Sequence, residues 1–199
     1  MQKEFVEPVS IRTLETGLLG GDLTKDLYKT WLHASGVLNN DFIPHIPFLI
    51  QLAPHAETGD VPKILRVGQR SLMKENFGDE WLHETEQKTN EAYSDIDENF
   101  RGFVAQGYHD LIKTREPVLD VISAKCQLPG SGRTIWEKYT RLLLPIELNM
   151  GYWMIICAAE RFDRVGSFAQ QDQSTPLYHF LQTKQLPVSQ PAAPPIAAR

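Results

Sequence analysis

The sequence predicts an α+β fold, and two observations lead to this prediction. A long amphipathic helical segment lies in the middle of the chain, and three β-rich runs separated by short turn signals follow it. The chain has 199 residues, of which 42% are hydrophobic, so it is long enough to bury one good core. One principal domain is therefore expected.

Composition and charge exclude several classes of function. A net charge of −5 and dispersed Lys and Arg residues argue against a nucleic-acid partner, because phosphate binding requires clustered positive charge. No apolar run approaches the roughly 18 residues of a membrane helix, and the N-terminus lacks a signal-peptide core. We therefore predict a cytoplasmic protein without membrane insertion. Cys126 and Cys157 lack zinc or redox spacing and are interpreted as reduced core residues.

Two short helices are predicted before the first strands. Residues 1–21 have weak periodicity and are predicted to form an N-terminal arm, either extended or packed on a neighbour. From Asp22 to Ser35 the apolar spacing predicts an amphipathic helix that Gly36 ends. A second short helix is predicted from an Asp41 N-cap to Leu52, just before Pro54.

The central part of the chain has a strand-like pattern followed by a helical one. After Pro62, short apolar runs divided by Gly68 and Gly78 predict two strands around a turn, followed by a short helix near residues 80–88. The strongest helical pattern runs from Asp95 to Lys113, where apolar residues recur at helical spacing and Ser94 can act as the N-cap.

The three later runs predict an antiparallel meander, and their sequences are VLDVISAKCQL, TIWEKYTRLLLPI and YWMIICAAE. The third run is apolar on both faces, as expected for a central strand or for one at an interface. We place the domain at residues 22–165 and a short helical segment at 166–184. The Pro/Ala-rich residues 185–199 are predicted to be disordered.

Two stretches resemble a bacterial family of stand-alone PAS-like proteins. LRVGQRSLMKENFGDEW is similar to the first PAS hairpin running into its helix, and YTRLLLPIELNMGYWMIICA is similar to the last two strands. The family segment Tyr-x-Arg-Leu-Leu-Leu-Pro corresponds here to Tyr139–Pro145, and the resemblance covers roughly Leu27 to Phe162. It implies a five-stranded antiparallel sheet with helices on one face, an N-terminal helical extension, a small cavity and a regulatory role. PAS-like folds bind haem, flavin, small acids or nothing, so the cofactor is left unknown.

A ligand pocket between the long helix and the sheet is the candidate site. Aromatic side chains could form an apolar cage there, and either cysteine could line it, although ordinary core packing explains each of them as well. Strand parity places Trp136 and Tyr139 on opposite faces without showing which face is inward. The candidate pocket residues are Phe100, Phe103, Cys126, Tyr139, Trp153 and Cys157.

Two polar residues of the same region, His109 and Asp120, are candidates for chemistry. His109 lies on the long helix but away from its apolar stripe, so we expect it to face water and not to ligate haem. Asp120 lies within a strand, where it is either a buried carboxylate with a partner such as Arg141 or an outward polar residue. The outward orientation is the favoured one.

These observations lead to two functional hypotheses. The first is a non-enzymatic PAS-like sensory or regulatory module that acts in trans by binding a small apolar molecule, a protein partner or a second copy of itself. The second is a small cone-shaped α+β isomerase or lyase whose pocket would hold His45, His109 or Asp120. A structural partner protein with a filled core differs from the first hypothesis only in lacking a cavity. No HExxH, GxSxG, P-loop or GxGxxG sequence is present.

Overall fold

A computed structural model describes residues 3–57, 60–87, 96–128 and 132–161 of the chain. The predicted segments at 166–184 and 185–199 lie outside these residues. The described part is an α+β fold with one antiparallel sheet and four α-helices. Its strands are β1 (Phe5–Val9), β2 (Ile50–Leu52), β3 (Ile64–Val67), β4 (Val118–Gln127), β5 (Thr134–Glu147) and β6 (Trp153–Arg161). Its helices are α1 (Arg12–Glu15), α2 (Asp22–His33), α3 (Leu72–Gln87) and α4 (Glu98–Thr114).

The six strands lie in the order β1-β4-β5-β6-β2-β3. The predicted meander is confirmed, because β4 pairs with β5 and β5 with β6, all antiparallel. At the centre of the sheet, Leu143 of β5 lies opposite Val118 on one side and Cys157 on the other. The two-faced apolar pattern of β6 also fits its position, because this strand is paired on both sides, by β5 and β2.

Helices cover both faces of the sheet, so the expectation of helices on one face was wrong. Leu142 and Leu144 of β5 pack in the layer that contains α2, whereas Leu143 packs in the layer that contains α4. Because successive strand residues point to opposite faces, the run Leu142–Ile146 can be apolar throughout only if both faces are buried.

The predicted N-terminal arm contributes a sixth strand to the sheet. Residues of β1 pair with β4 in antiparallel register, from Phe5 opposite Ser123 to Val9 opposite Leu119. Leu14 and Leu19, which follow β1, are buried in the same layer as α2. The arm therefore covers the edge of β4, which would otherwise present unpaired backbone groups.

The two main helices form where periodicity predicts them, although the N-cap of α4 differs. Helix α2 begins at Asp22 as expected. Helix α4 is capped by Asp97, whose carboxylate accepts a hydrogen bond from the backbone N–H of Asn99 at 2.9 Å, and not by Ser94. It ends at Thr114, and the C-cap residue Arg115 adopts the left-handed conformation, with φ of 59°.

The first hairpin lies earlier in the chain than predicted. The segment expected as a second helix forms two short 3-10 turns, and its last residues, Ile50–Leu52, form β2. Its partner β3 pairs Val67 with Ile50, and α3 begins already at Leu72, with a break at Gly78 where φ is 85°. Only one of the two strands predicted after Pro62 is therefore present there.

Candidate ligand-binding cavity

A mostly apolar cavity of about 80 Å³ lies between the sheet and helices α3 and α4. Phe100, Val104 and Tyr108 form the α4 wall because residues four apart lie on one face of a helix. Helix α3 contributes Met73, Asn76 and Phe77. The facing sheet wall includes Ile50, Leu52, Ile64, Cys126, Tyr139, Arg141 and Cys157.

A buried ion pair lies beside this cavity. Asp120 and Arg141 are opposite each other in the β4–β5 register, and each side chain is 2% exposed. The Arg141 Nε and Nη2 atoms donate to the same Asp120 oxygen, at 3.1 and 2.5 Å, and Nη1 donates to the Val104 carbonyl at 2.9 Å. The favoured outward orientation of Asp120 was therefore wrong. The carboxylate can be buried because the guanidinium opposite neutralises it.

The ion pair also fixes the position of α4 on the sheet. The guanidinium carbon of Arg141 lies 4.5 Å from the centre of the Tyr108 ring. The hydrogen bond from Arg141 to the Val104 carbonyl connects β5 to the backbone of α4. Gly107 faces the pair so closely that a Cβ atom there would lie 2.6 Å from both Arg141 Nη2 and Asp120 Oδ2. Only glycine lets the helix approach to this distance.

Tyr108 brings a hydroxyl group into the cavity wall. The hydroxyl lies 3.9 Å from Cys157 Sγ, a weak sulfur contact. Burial, together with the neighbouring Cys157, raises the pKa of Tyr108 well above its ordinary value. Tyr108 therefore remains a hydrogen-bond donor at neutral pH.

A second arginine lines the cavity from α4. Arg101 Nη1 forms an ion pair with Asp60 at 3.1 Å. Its Nε atom is buried and has no hydrogen-bond partner within the part of the chain that the structure describes. One donor on this wall is therefore left unsatisfied.

Asn76 and Glu137, which line the cavity, both accept hydrogen bonds from Arg161. Arg161, at the end of β6, donates to Asn76 Oδ1 at 2.7 Å and to Glu137 Oε1 at 3.3 Å. It also pairs with Glu75 at 2.6 Å. These rim acceptors therefore already have a cationic partner.

Four of the six predicted pocket residues line the cavity, namely Phe100, Cys126, Tyr139 and Cys157. The other two do not. Phe103 is 37% exposed, because it lies one residue before the inward-facing Val104 on α4. Trp153 packs under the guanidinium of Arg115, 3.5 Å from its ring centre. Ligand binding by the four lining residues stays a prediction.

The pocket prediction omitted several polar lining residues, among them Tyr108 and Arg141. Arg141 and Tyr139 are two residues apart on β5, so their side chains lie on the same face of the sheet. That parity was available from the sequence. Asn76 has no comparable signal, because α3 was predicted at a different position.

The structure does not unite the residues that an isomerase or lyase pocket would need. His45 lies beside Thr30 of α2, with its Nε2 atom 3.1 Å from the Thr30 hydroxyl. His109 is half-buried, not exposed as predicted, and its Nε2 atom is buried without a hydrogen-bond partner among the described residues. Neither histidine lines the cavity, and Asp120 is bound by Arg141.

Both cysteines should be unreactive in the folded protein. Burial raises the pKa of the Cys126 and Cys157 thiols to about 11, so roughly a thousandth of each would be thiolate at pH 8. We expect a thiol-specific disulfide reagent to label neither cysteine at pH 8 until the protein is unfolded in guanidinium. Ser10→Cys, at an exposed position, provides a reactive control. Fast labelling of the native wild-type chain would show that the thiols are accessible.

No protein-family model, curated protein or solved structure matches this chain. Among residues 3–57, 60–87, 96–128 and 132–161, no helix is long and apolar enough to cross a membrane. The same residues contain no group of three or more His, Cys, Asp or Glu side chains that could hold a metal ion.

Proposed function

We propose that this protein is a non-enzymatic PAS-like sensory module that binds a small molecule in the cavity and relays its state to a protein partner. The observation that carries the proposal is the cavity itself. Its wall combines apolar side chains from the sheet and two helices with a few buried polar groups, which is the usual composition of a small-molecule site.

The resemblance to PAS-like proteins supports the same proposal. The five strands β2 to β6 follow the chain order that the resemblance implies, with a hairpin, then helices, then a three-stranded meander. The segment Tyr139–Pro145, on which the resemblance rests, contributes Tyr139 and Arg141 to the cavity wall.

The protonation states of the cavity groups favour binding over catalysis. Tyr108, Cys126 and Cys157 all have raised pKa values because they are buried, so each keeps its proton at neutral pH. General acid–base catalysis at neutral pH works best with a group whose pKa lies near 7. These groups are better suited to donating hydrogen bonds to a ligand than to transferring protons.

One end of the sheet offers a surface for the protein partner. Val37 and Leu38 lie beside the end of β5, and the turn that follows it carries Met150 and Tyr152. All four side chains are exposed, and Met150 is 93% exposed. Adjacent exposed apolar side chains of this kind are typical of interaction surfaces.

Native mass spectrometry of the protein purified from its own cells tests the binding function. We expect a species heavier than the bare chain by the mass of one small molecule, and this excess should disappear on denaturation. Ala159→Leu adds bulk to the cavity wall and should abolish the excess mass. Ala56→Leu, outside the cavity, should retain it. A bare-chain mass for wild type, or equal retention by both variants, would contradict the proposal.

A further inference from the structure

We infer that the cavity takes a small, neutral carbonyl compound with a short apolar body, such as a ketone, an ester or a lactone. This inference rests on the proposed binding function and adds the chemical class of the ligand. Three properties of the cavity lead to it: its volume, the unpartnered Arg101 Nε donor in its wall and the pairing of its charges.

The volume limits the ligand to a few heavy atoms. Pockets for drug-sized molecules measure roughly 300 Å³ or more, and an apolar cavity that binds benzene measures about 150 Å³. At about 80 Å³ the present cavity is smaller than either. The part of the ligand that enters it therefore has fewer than six heavy atoms.

The polar groups of the wall favour an acceptor on the ligand. Arg101 Nε is a buried donor without a partner among the described residues, and the Tyr108 hydroxyl donates a weak hydrogen bond to Cys157 Sγ at 3.9 Å. The acceptors Asn76 Oδ1 and Glu137 are bound by Arg161. A carbonyl oxygen accepts without donating, so it can pair with these donors without bringing a donor of its own into the cavity.

The charges of the wall disfavour an anionic ligand. Of the lining arginines, Arg101 is paired with Asp60 and Arg141 with Asp120. Arg161, outside the lining, pairs with the lining residue Glu137 and with Glu75. Each guanidinium already has a carboxylate, so a carboxylate ligand would be buried without a free counter-charge. A neutral carbonyl group has no such cost.

Three probes of equal size separate the alternatives: 2-butanone, propanoate and 2-methyl-1-butene each have five heavy atoms. We would titrate each into the full chain and follow NMR shifts of the methyl groups of Ile50 and Leu52, which line the cavity. We expect 2-butanone to bind at least as tightly as the more hydrophobic alkene, and propanoate to produce no shift. A shift with propanoate, or tighter binding of the alkene than of the ketone, would overturn the inference.

Tyr108→Phe tests whether the Tyr108 hydroxyl donates a hydrogen bond to the carbonyl oxygen of the ligand. The variant should weaken 2-butanone binding about fivefold, the equivalent of one hydrogen bond, and leave alkene binding unchanged or tighter. Tyr28→Phe is a matched control, because Tyr28 is also buried but packs on the other face of the sheet. An unchanged ratio of ketone to alkene affinity in Tyr108→Phe would contradict the inference.

The proposed function and the ligand class can fail separately. If none of the three probes shifts the cavity methyl groups, the carbonyl class is overturned. A co-purified molecule of another chemical class, detected by native mass spectrometry, would also overturn the carbonyl class but would support the proposed binding function.

Discussion

Asp120→Ala should lower the free energy of unfolding by roughly 3–5 kcal/mol, the cost of removing one partner of a buried ion pair. Without the carboxylate, the Arg141 guanidinium would remain 2% exposed and keep a charge that its remaining bond to the Val104 carbonyl cannot neutralise. Urea unfolding followed by circular dichroism measures the loss, provided that the slope of the transition stays unchanged.

Two further variants separate loss of the pair from a general loss of packing. Replacing both partners by apolar residues, Asp120→Leu with Arg141→Met, should restore most of the lost stability, because no unpaired charge then remains. Asp26→Ala removes an exposed ion pair with Lys29 and should cost less than about 0.5 kcal/mol. If Asp120→Ala costs no more than Asp26→Ala, the pair does not stabilise this fold.

Gly107→Ala should destabilise the protein by about 1–3 kcal/mol, although alanine is the better helix former by about 1 kcal/mol. The added Cβ would lie 2.6 Å from an atom of each ion-pair partner, so either α4 or the pair must move. Thermal and urea unfolding both measure the change. The sign of the change in stability is the test, because helix propensity alone predicts that Gly107→Ala stabilises the protein.

A second glycine of α4 serves as the control for this prediction. Gly102 is exposed on the same helix, so Gly102→Ala should leave stability unchanged or raise it. If Gly107→Ala stabilises the protein as much as Gly102→Ala does, α4 does not need its close approach to the ion pair.

These two variants also bear on the cavity, because the same contacts hold its helical wall. Arg141 reaches from β5 to the backbone of α4 at Val104, and Val104 and Tyr108 both line the cavity. A shift of α4 away from the sheet would therefore change the cavity volume as well as the stability.

Regular elements with strong local patterns could be predicted from the sequence. The apolar stripe containing Phe100, Val104 and Tyr108 defines α4, and the long β-rich runs define β4, β5 and β6. Pocket residues on these elements could be proposed for the same reason, and Phe100, Tyr139, Cys126 and Cys157 do line the cavity.

Elements without a strong local pattern were misplaced. Ile50–Leu52 is too short to show strand alternation, and it forms a strand because β6 on one side and β3 on the other supply its hydrogen bonds. Residues Phe5–Val9 likewise become a strand only through pairing with β4. Pairing partners so distant in sequence leave no local signal.

The sequence by itself therefore determined the mixed α+β class, the long helix and the fact that Tyr139 faces the opposite side of β5 from its immediate neighbours. The tertiary structure alone decided which helices cover each face, that Asp120 points inward to Arg141, and where the cavity lies. The physical reason is the range of the interactions. Periodicity reflects burial along a single element, whereas the inward carboxylate and the cavity depend on charges, donors and volumes contributed by elements far apart in the chain.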